Sequence, residues 1–370
     1  MSEVIFNYIK QRMNDSQLGY ISYADFIEAA LYHPSHGYYM KEGIKIGREG
    51  DFYTTSNISD LYGRLMAKWY RNLVMEHQLP AKVCEIGAGT GRFAKAFIEE
   101  WQTCDYEPLT YILVETSPYH RKVQKENVET FSDVTIVQVE TLEEIKPFKG
   151  LIFSNELFDA LPVHVIQKKE GQLFEVMVTI RENSLVELLI PLVDKQILRY
   201  LNEHQIILKE SQRYEIPLAM MGLIHSIAQY VDKAIIITVD YGYTNEEWQE
   251  PSRKDGSLRG FHKHHLIDNI LLNPGEMDIT SHVHFDVVIE EGQKVGLTYM
   301  DKLRQDQFLL TLGILNELQD TFDPNPFSET SKRNRAIKSL IMPGGLSPFF
   351  HVILQHKGFE DKAVHFISKI

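Results

Sequence analysis

Period and polarity divide the chain into stretches of different architecture. Val4, Ile5, Tyr8 and Ile9 recur at helical spacing, and Ser22 stands where it can cap a second helix over Tyr23–Tyr32. His33, Pro34, Gly37, Tyr38 and Tyr39 break that pattern, and His33 reads as a packed turn residue. Leu61, Leu65, Met66 and Trp69 line one face of a further helix. From Lys82 onward, short apolar runs at Lys82–Glu85, Leu109–Glu115, Val134–Val139 and Leu151–Ser154 alternate with helix-compatible stretches such as Pro118–Thr130, which predicts a parallel α/β sheet. Four strands in succession finish at a polar or acidic residue, and one shared crevice at the carboxyl edge explains that.

Between Val163 and Pro191 the period changes to two, with turns at Lys169–Gln172 and Glu182–Ser184, so an antiparallel meander is expected there. Helices are expected at Val193–Asn202 and Ile216–Val231, and the sheet resumes in AIIITVDYGY with a buried strand that begins at Ala234 and ends at Asp240 and Tyr241. Residues 242–280, with His262, His264 and His265, form a long connection of the kind that serves as a lid or binding loop. A helix from Phe285, a sixth strand at Leu297–Met300, helices at Leu303–Asp320 and Ser331–Ile341, and a last strand over Phe349–Gly358 complete the pattern.

Charge and cysteine content narrow the partners. A formal charge of −13 over 370 residues disfavours nucleic acid, because phosphate is neutralised by clustered Lys and Arg and no such stripe occurs. A basic protein or peptide fits that charge. Cys84 and Cys104 are too few for a disulfide framework and suit a reducing compartment. No apolar run is long enough to span a bilayer, so no membrane insertion is expected, and the opening MSEVIFNYIKQ lacks signal- or transit-peptide character. The expectation is a cytoplasmic protein whose oligomeric state stays open, a homodimer among the alternatives. His282, His284 and Asp286 would share one face of a strand, but Thr280 and Ser281 read as helix caps that splay them apart, so no metal is expected.

The chemistry centres on Lys82–Phe93, KVCEIGAGTGRF, a strand, an acid and three glycines at alternate positions. Gly87, Gly89 and Gly91, with Ala88 between, allow backbone angles and a close ligand approach that side chains resist. A dinucleotide fingerprint needs a third glycine where Arg92 stands, and Glu85 would repel a pyrophosphate. The pattern suits S-adenosyl-L-methionine, with its sulfonium and amino acid moiety, over NAD(P). Glu115, 24 residues past Gly91, stands where a ribose-binding carboxylate is expected, and Glu140 and Asn155 share its edge. Thr54 and Thr55, beside Asp51 and Ser56, precede a helix start, where they serve either as caps or as contacts to the cofactor or an anion.

LYHPSHGYY, GDFYTTSNISDLYG, EIGAGTGRF, NELFDALPV, VDYGY, GSLRGFHKHH and DITSHV together resemble the MidA/NDUFAF7 family of class I S-adenosylmethionine-dependent methyltransferases, over nearly the whole chain. The resemblance implies an α/β fold: a seven-stranded Rossmann-like class I methyltransferase sheet, its last strand antiparallel, with an inserted smaller α+β lobe. The expected divisions are 1–75, a helical segment packing on the core; 76–163, the first part of the cofactor-binding core; 164–230, the inserted lobe; and 231–370, the second part, with a substrate-side loop at 242–280. It also implies a protein arginine substrate and a role in assembling a respiratory complex I-like partner. The family's usual Glu, Gln and Asp are replaced here by Asn57, Asp60 and His284.

An arginine acceptor needs carboxylates that grip its planar guanidinium and leave one nitrogen aimed at the methyl group. Glu156 and Asp159 are the candidates, Asp159 serving equally well as a helix cap, and Asn155 could orient the acceptor or the cofactor amine. The alternative function is a cofactor-binding assembly factor with little or no catalytic activity.

Overall fold

The sheet grows outward from β1 (Lys82–Ile86), four of whose five residues are buried, as expected of a strand covered on both faces. The computed structural model describes residues 3–43, 45, 60–104, 107–128, 131, 133–320, 325–342, 344 and 347–359. It comprises two compact units, the first of Met1–Phe52, Phe158–His225 and Gly242–Glu291, the second of Tyr53–Leu157, Ser226–Tyr241 and Gly292–Ile370.

In the second unit β1 is followed by β2 (Leu109–Val114), β3 (Val134–Val139), β4 (Phe148–Asn155), β5 (Val231–Tyr243), β6 (Thr298–Arg304) and β7 (Phe350–Lys357). Their order is β6-β7-β5-β4-β1-β2-β3. The five from β3 to β5 run parallel, and β7 is antiparallel to both its neighbours, as the sequence leads one to expect. A two-residue strand, Val283–His284, adds to the extension of β5 at Gly242 and Tyr243. The chain leaves β1 for β2 and β3 on one side and returns to β4 on the other, so the strand order reverses between β1 and β4. Two helices cross between the early strands, α1 (Arg92–Trp101) and α2 (Pro118–Val128). Phe93 of α1 stacks on Phe153 of β4 at 4.1 Å, and Phe97 is fully buried beneath Trp101. Burying one such phenylalanine contributes roughly 2–3 kcal/mol.

The first unit is built on a five-stranded antiparallel sheet. Gln172–Arg181 pairs with Ser184–Pro191 along one edge and with His164–Lys169 and Tyr20–Ser22 along the other, while Arg213–Ile216 lies beyond His164–Lys169. Both hairpins turn through two residues with positive φ, Glu170-Gly171 (53° and 76°) and Glu182-Asn183 (48° and 63°), the twist that suits a two-residue connection. Ser22 caps the helix Tyr23–Tyr32 in a capping box with Asp25.

Three expectations about elements change. Ile216 belongs to a strand rather than to the following helix, because Tyr214 and Ile216 pair with Ile166 and His164; the helix starts at Leu218, after Pro217. The helix expected over Leu303–Asp320 shrinks to Gln305–Thr311, since β6 runs through Arg304 and Gly313, at φ 80°, ends it. The connection 242–280 carries its own three-stranded sheet of Arg259–His262, His265–Ile267 and Asp278–Thr280. Among the described residues no helix is long and apolar enough to cross a membrane.

Gly150, in β4 at φ 141°, lies so close to β1 that an added Cβ would stand 2.1 Å from the Lys82 carbonyl oxygen. Gly150→Ala is therefore expected to destabilise the protein by about 3 kcal/mol, read as a lowered midpoint in thermal or urea unfolding.

Candidate functional site

Strand register decides which residues share the carboxyl edge. Ile86 pairs with Val114 and Ser154, Val114 with Val139, and Asn155 with Val239. The next positions along this row are Gly87, Glu115, Glu140 and Asn155, about 4.8 Å apart from strand to strand. They lie where open α/β sheets bind ligands, at the reversal of strand order.

Gly87, Gly89 and Gly91 all have positive φ, at 70°, 51° and 74°. A Cβ on Gly87 would meet Leu157 Cδ1 at 2.8 Å, and one on Gly91 would meet Gln124 Cγ at 3.1 Å. The turn is held through its backbone. Gly87 N–H donates to the Val114 carbonyl at 2.9 Å, Gly91 N–H to the Ala88 carbonyl at 2.9 Å, and Gly89 N–H to Glu115 Oε2 at 2.9 Å. The other Glu115 oxygen accepts from Ser117 N–H at 2.9 Å. Burial raises the Glu115 pKa, and the Ser117 and Gly89 amides oppose that rise by favouring the anion.

Glu85 sits one strand position before the turn. It is 5% exposed and accepts a hydrogen bond from the Tyr111 hydroxyl at 2.8 Å. Burial drives its carboxyl up to about 8, with the Tyr111 bond pulling down and the nearby Glu115 charge adding to the rise. A group titrating there is mostly neutral at pH 7, and acts as a hydrogen-bonding acid more than as a full charge. Glu140 is more open, joined to the site through Arg121, whose Nη2 donates to its Oε1 at 2.6 Å while Nη1 donates to the Glu115 carbonyl at 2.8 Å.

Asn155 ends β4. Its Nδ2 donates to Glu156 Oε1 at 2.9 Å, and its Oδ1 is buried without a hydrogen-bond partner among the described residues. Glu156 adopts φ 50°, a costly conformation for a side-chain-bearing residue, with its amide fixed to the Val239 carbonyl at 2.9 Å. The structure thus joins Gly89 and Glu115 in one bonded set, Glu140 through Arg121, and Asn155 to Glu156. Asp159 belongs to the first unit, 6% exposed, where its carbonyl accepts from Ser281 N–H at 2.9 Å. Thr54, Thr55 and Asn57 lie outside the described residues. Asp60 lies 3.5 Å from the guanidinium of Arg92, the first residue of α1.

His282, His284 and Asp286 engage different partners. His282 stacks on Tyr243, Asp286 accepts from Asn245 N–H, and fully buried His284 stacks on Trp248 with Nδ1 3.0 Å from the Tyr214 hydroxyl. Burial depresses the imidazoles of His282 and His284 to about 4 and about 3. Among the described residues no group of three or more His, Cys, Asp or Glu is arranged to hold a metal ion.

Sequence reasoning passed over the face of α2. Gln124 donates to the Gly89 carbonyl at 2.9 Å and Asn127 to the Thr90 carbonyl at 2.8 Å. The signal was the polar spacing Ser117, Arg121, Gln124, Asn127, which lines one side of a helix.

Comparison with known proteins gives the family and the fold. A family described as "Putative S-adenosyl-L-methionine-dependent methyltransferase" matches residues 63–301. A Danio rerio protein named protein arginine methyltransferase NDUFAF7, mitochondrial, is 27% identical over 366 residues, covering 90% of this chain and 84% of that protein. Its Drosophila melanogaster homologue is 27% identical over 312 residues, covering 73% of this chain and 66% of its own. The fold is similar to that of a crystal structure from Burkholderia thailandensis with S-adenosyl-homocysteine bound, at TM-score 0.87 and 22% identity, covering 100% of this chain and 95% of that one. The cytoplasmic expectation is corrected by these relatives: they are named as mitochondrial proteins, which points to mitochondria rather than to the cytoplasm.

The raised Glu85 carboxyl gives a pH test. Between its ordinary value of 4.5 and its folded value of about 8, the folded state binds more proton than the unfolded chain. Its contribution to stability is therefore complete below pH 4.5 and lost as the pH rises through about 8. Glu85→Gln keeps an acceptor for Tyr111 and is expected to flatten the fall in Tm over that window; a wild-type slope in the variant would contradict the assignment.

Proposed function

Because the chain belongs to the family of S-adenosyl-L-methionine-dependent methyltransferases, whose model covers residues 63–301, we propose that it methylates an arginine side chain of a protein. The relatives' names, protein arginine methyltransferase, support the acceptor class. The observation that carries the cofactor side is the glycine turn clamped to Glu115 at the reversal of strand order. The residues present suit such a group. Asn155 Oδ1 is a buried acceptor in want of a donor, which suits an ammonium, and Gly87 holds a left-handed φ of 70° that side chains resist.

On this reading Glu85, Gly87, Ala88, Gly89, Gly91, Glu115, Glu140 and Asn155 hold the cofactor, which when bound supplies an electrophilic methyl group on a sulfonium. Thr54 and Thr55 we keep as further contacts. Glu156 grips the acceptor guanidinium, and its positive φ, fixed by the bond to Val239, is the kind of strain that active sites retain. Asn155, donating to Glu156 Oε1, sets the direction of that carboxylate. We assign Asp159 the same class of role as Glu156, with capping as its alternative. Holding nucleophile and methyl carbon close and in line would provide much of the rate, since the displacement, which forms the N–C bond as the S–C bond breaks and releases the thioether, requires no covalent enzyme intermediate. We place the substrate in the assembly of a respiratory complex I-like partner.

Two measurements test this. Mass spectrometry of proteins methylated with and without the enzyme is expected to find a modified arginine; a wild type that binds S-adenosylmethionine but modifies nothing would support the assembly-factor reading instead. Glu156→Gln is expected to lower transfer by about 10²-fold or more while calorimetry shows donor binding within about twofold of wild type. Full activity in that variant would remove Glu156 from the mechanism.

A further inference from the structure

Gln124 is fully buried, yet it spends its polar atoms on a turn of the main chain. Its Nε2 donates to the Gly89 carbonyl at 2.9 Å, and its Oε1 accepts from Gln138 Nε2 at 2.8 Å. Gln138 Nε2 also donates to the Arg121 carbonyl at 2.8 Å. A carbonyl only accepts, so Arg121 fixes which end of Gln138 faces α2, and Gln138 in turn fixes the end of Gln124 that faces the turn.

The direction of the next amide follows from peptide geometry. In a trans peptide the carbonyl and the N–H point to opposite sides. With the Gly89 carbonyl drawn to α2 by Gln124, the N–H of Thr90 is turned away from that helix. Asn127, holding the Thr90 carbonyl at 2.8 Å, likewise turns the Gly91 N–H away, where it meets the Ala88 carbonyl at 2.9 Å. The Gly89 N–H is already committed to Glu115. Glycines at positive φ have little intrinsic preference to keep these planes in place.

We infer that Gln124, locked by Gln138, is a positioning residue that aims the Thr90 amide at the bound methyl donor. This rests on the methyl-donor reading above. The donor gains a backbone hydrogen bond without having to order the turn, and loses that advantage when Gln124 can no longer donate.

Calorimetry of the full chain with S-adenosylmethionine tests it. Gln124→Met keeps the length and removes the donor, and is expected to weaken Kd by about tenfold or more. Gln124→Glu cannot donate to the Gly89 carbonyl while ionised and regains affinity as the pH is lowered and its acid proton becomes available, against a smaller change in wild type. A purely structural role would produce no such recovery. Gly150→Ala, in β4 beside Lys82 at the end of β1 away from the turn, is the control that loses Tm without loss of donor affinity. If Gln124→Met does not fold, Gln138→Leu, which frees the Gln124 amide to turn, carries the same expectation. A Kd within twofold of wild type in the folded variants, or no recovery in Gln124→Glu, overturns the inference. A wild type that shows no binding ends both readings, whereas a wild type that binds beside unchanged variants ends this one alone.

Discussion

The carboxylate of Glu115 ties two strand ends together. It leaves the end of β2 and accepts from Gly89 in the turn after β1 and from Ser117 at the start of the next crossover. Hydrogen bonds to a charged acceptor contribute about 1.5–3 kcal/mol each, and they matter most where nothing else holds the backbone. Three glycines in the left-handed region supply no side chains to pack. Their arrangement is therefore imposed from outside, by Glu115 on the amide side and by Gln124 and Asn127 on the carbonyl side.

That arrangement explains why so much acid is tolerated at one edge. Glu85 and Glu115 are both buried, and the Glu115 charge adds to the cost of ionising Glu85. The conflict is eased because burial keeps Glu85 mostly neutral even against the Tyr111 bond, while two amides and Arg121 favour charge on Glu115. Glu85 and Glu115 thus avoid standing side by side as two full charges.

Much of the sheet was legible because buried parallel strands read as continuous apolar runs and the hairpins announced themselves through EG and EN turns. What stayed hidden had physical reasons. Tyr20–Ser22 and Arg213–Ile216 are three and four residues long, too short for a period to register, and they exist because longer strands offer them a free edge. The helix after β6 was overdrawn because Leu303 and the apolar residues from Phe308 onward fit either period. At the candidate site, the left-handed backbone at Gly87, Gly89 and Gly91 was legible from residue type alone. Gln124 could not, because a buried glutamine owes its place to Gln138 and Gly89, which are distant in sequence. Asp159, three residues from Glu156 in the sequence, belongs to the other compact unit.

The strand β7 lies between β5 and β6, although both precede it in the chain. During ribosomal synthesis, therefore, β5 and β6 emerge first, each with a row of backbone donors and acceptors still awaiting its neighbour. The sheet cannot close until Phe350–Lys357 has left the exit tunnel and slid into the gap. Folding of this unit is accordingly completed only after β7 has been made, and until then the facing edges of β5 and β6 stay open to mispairing.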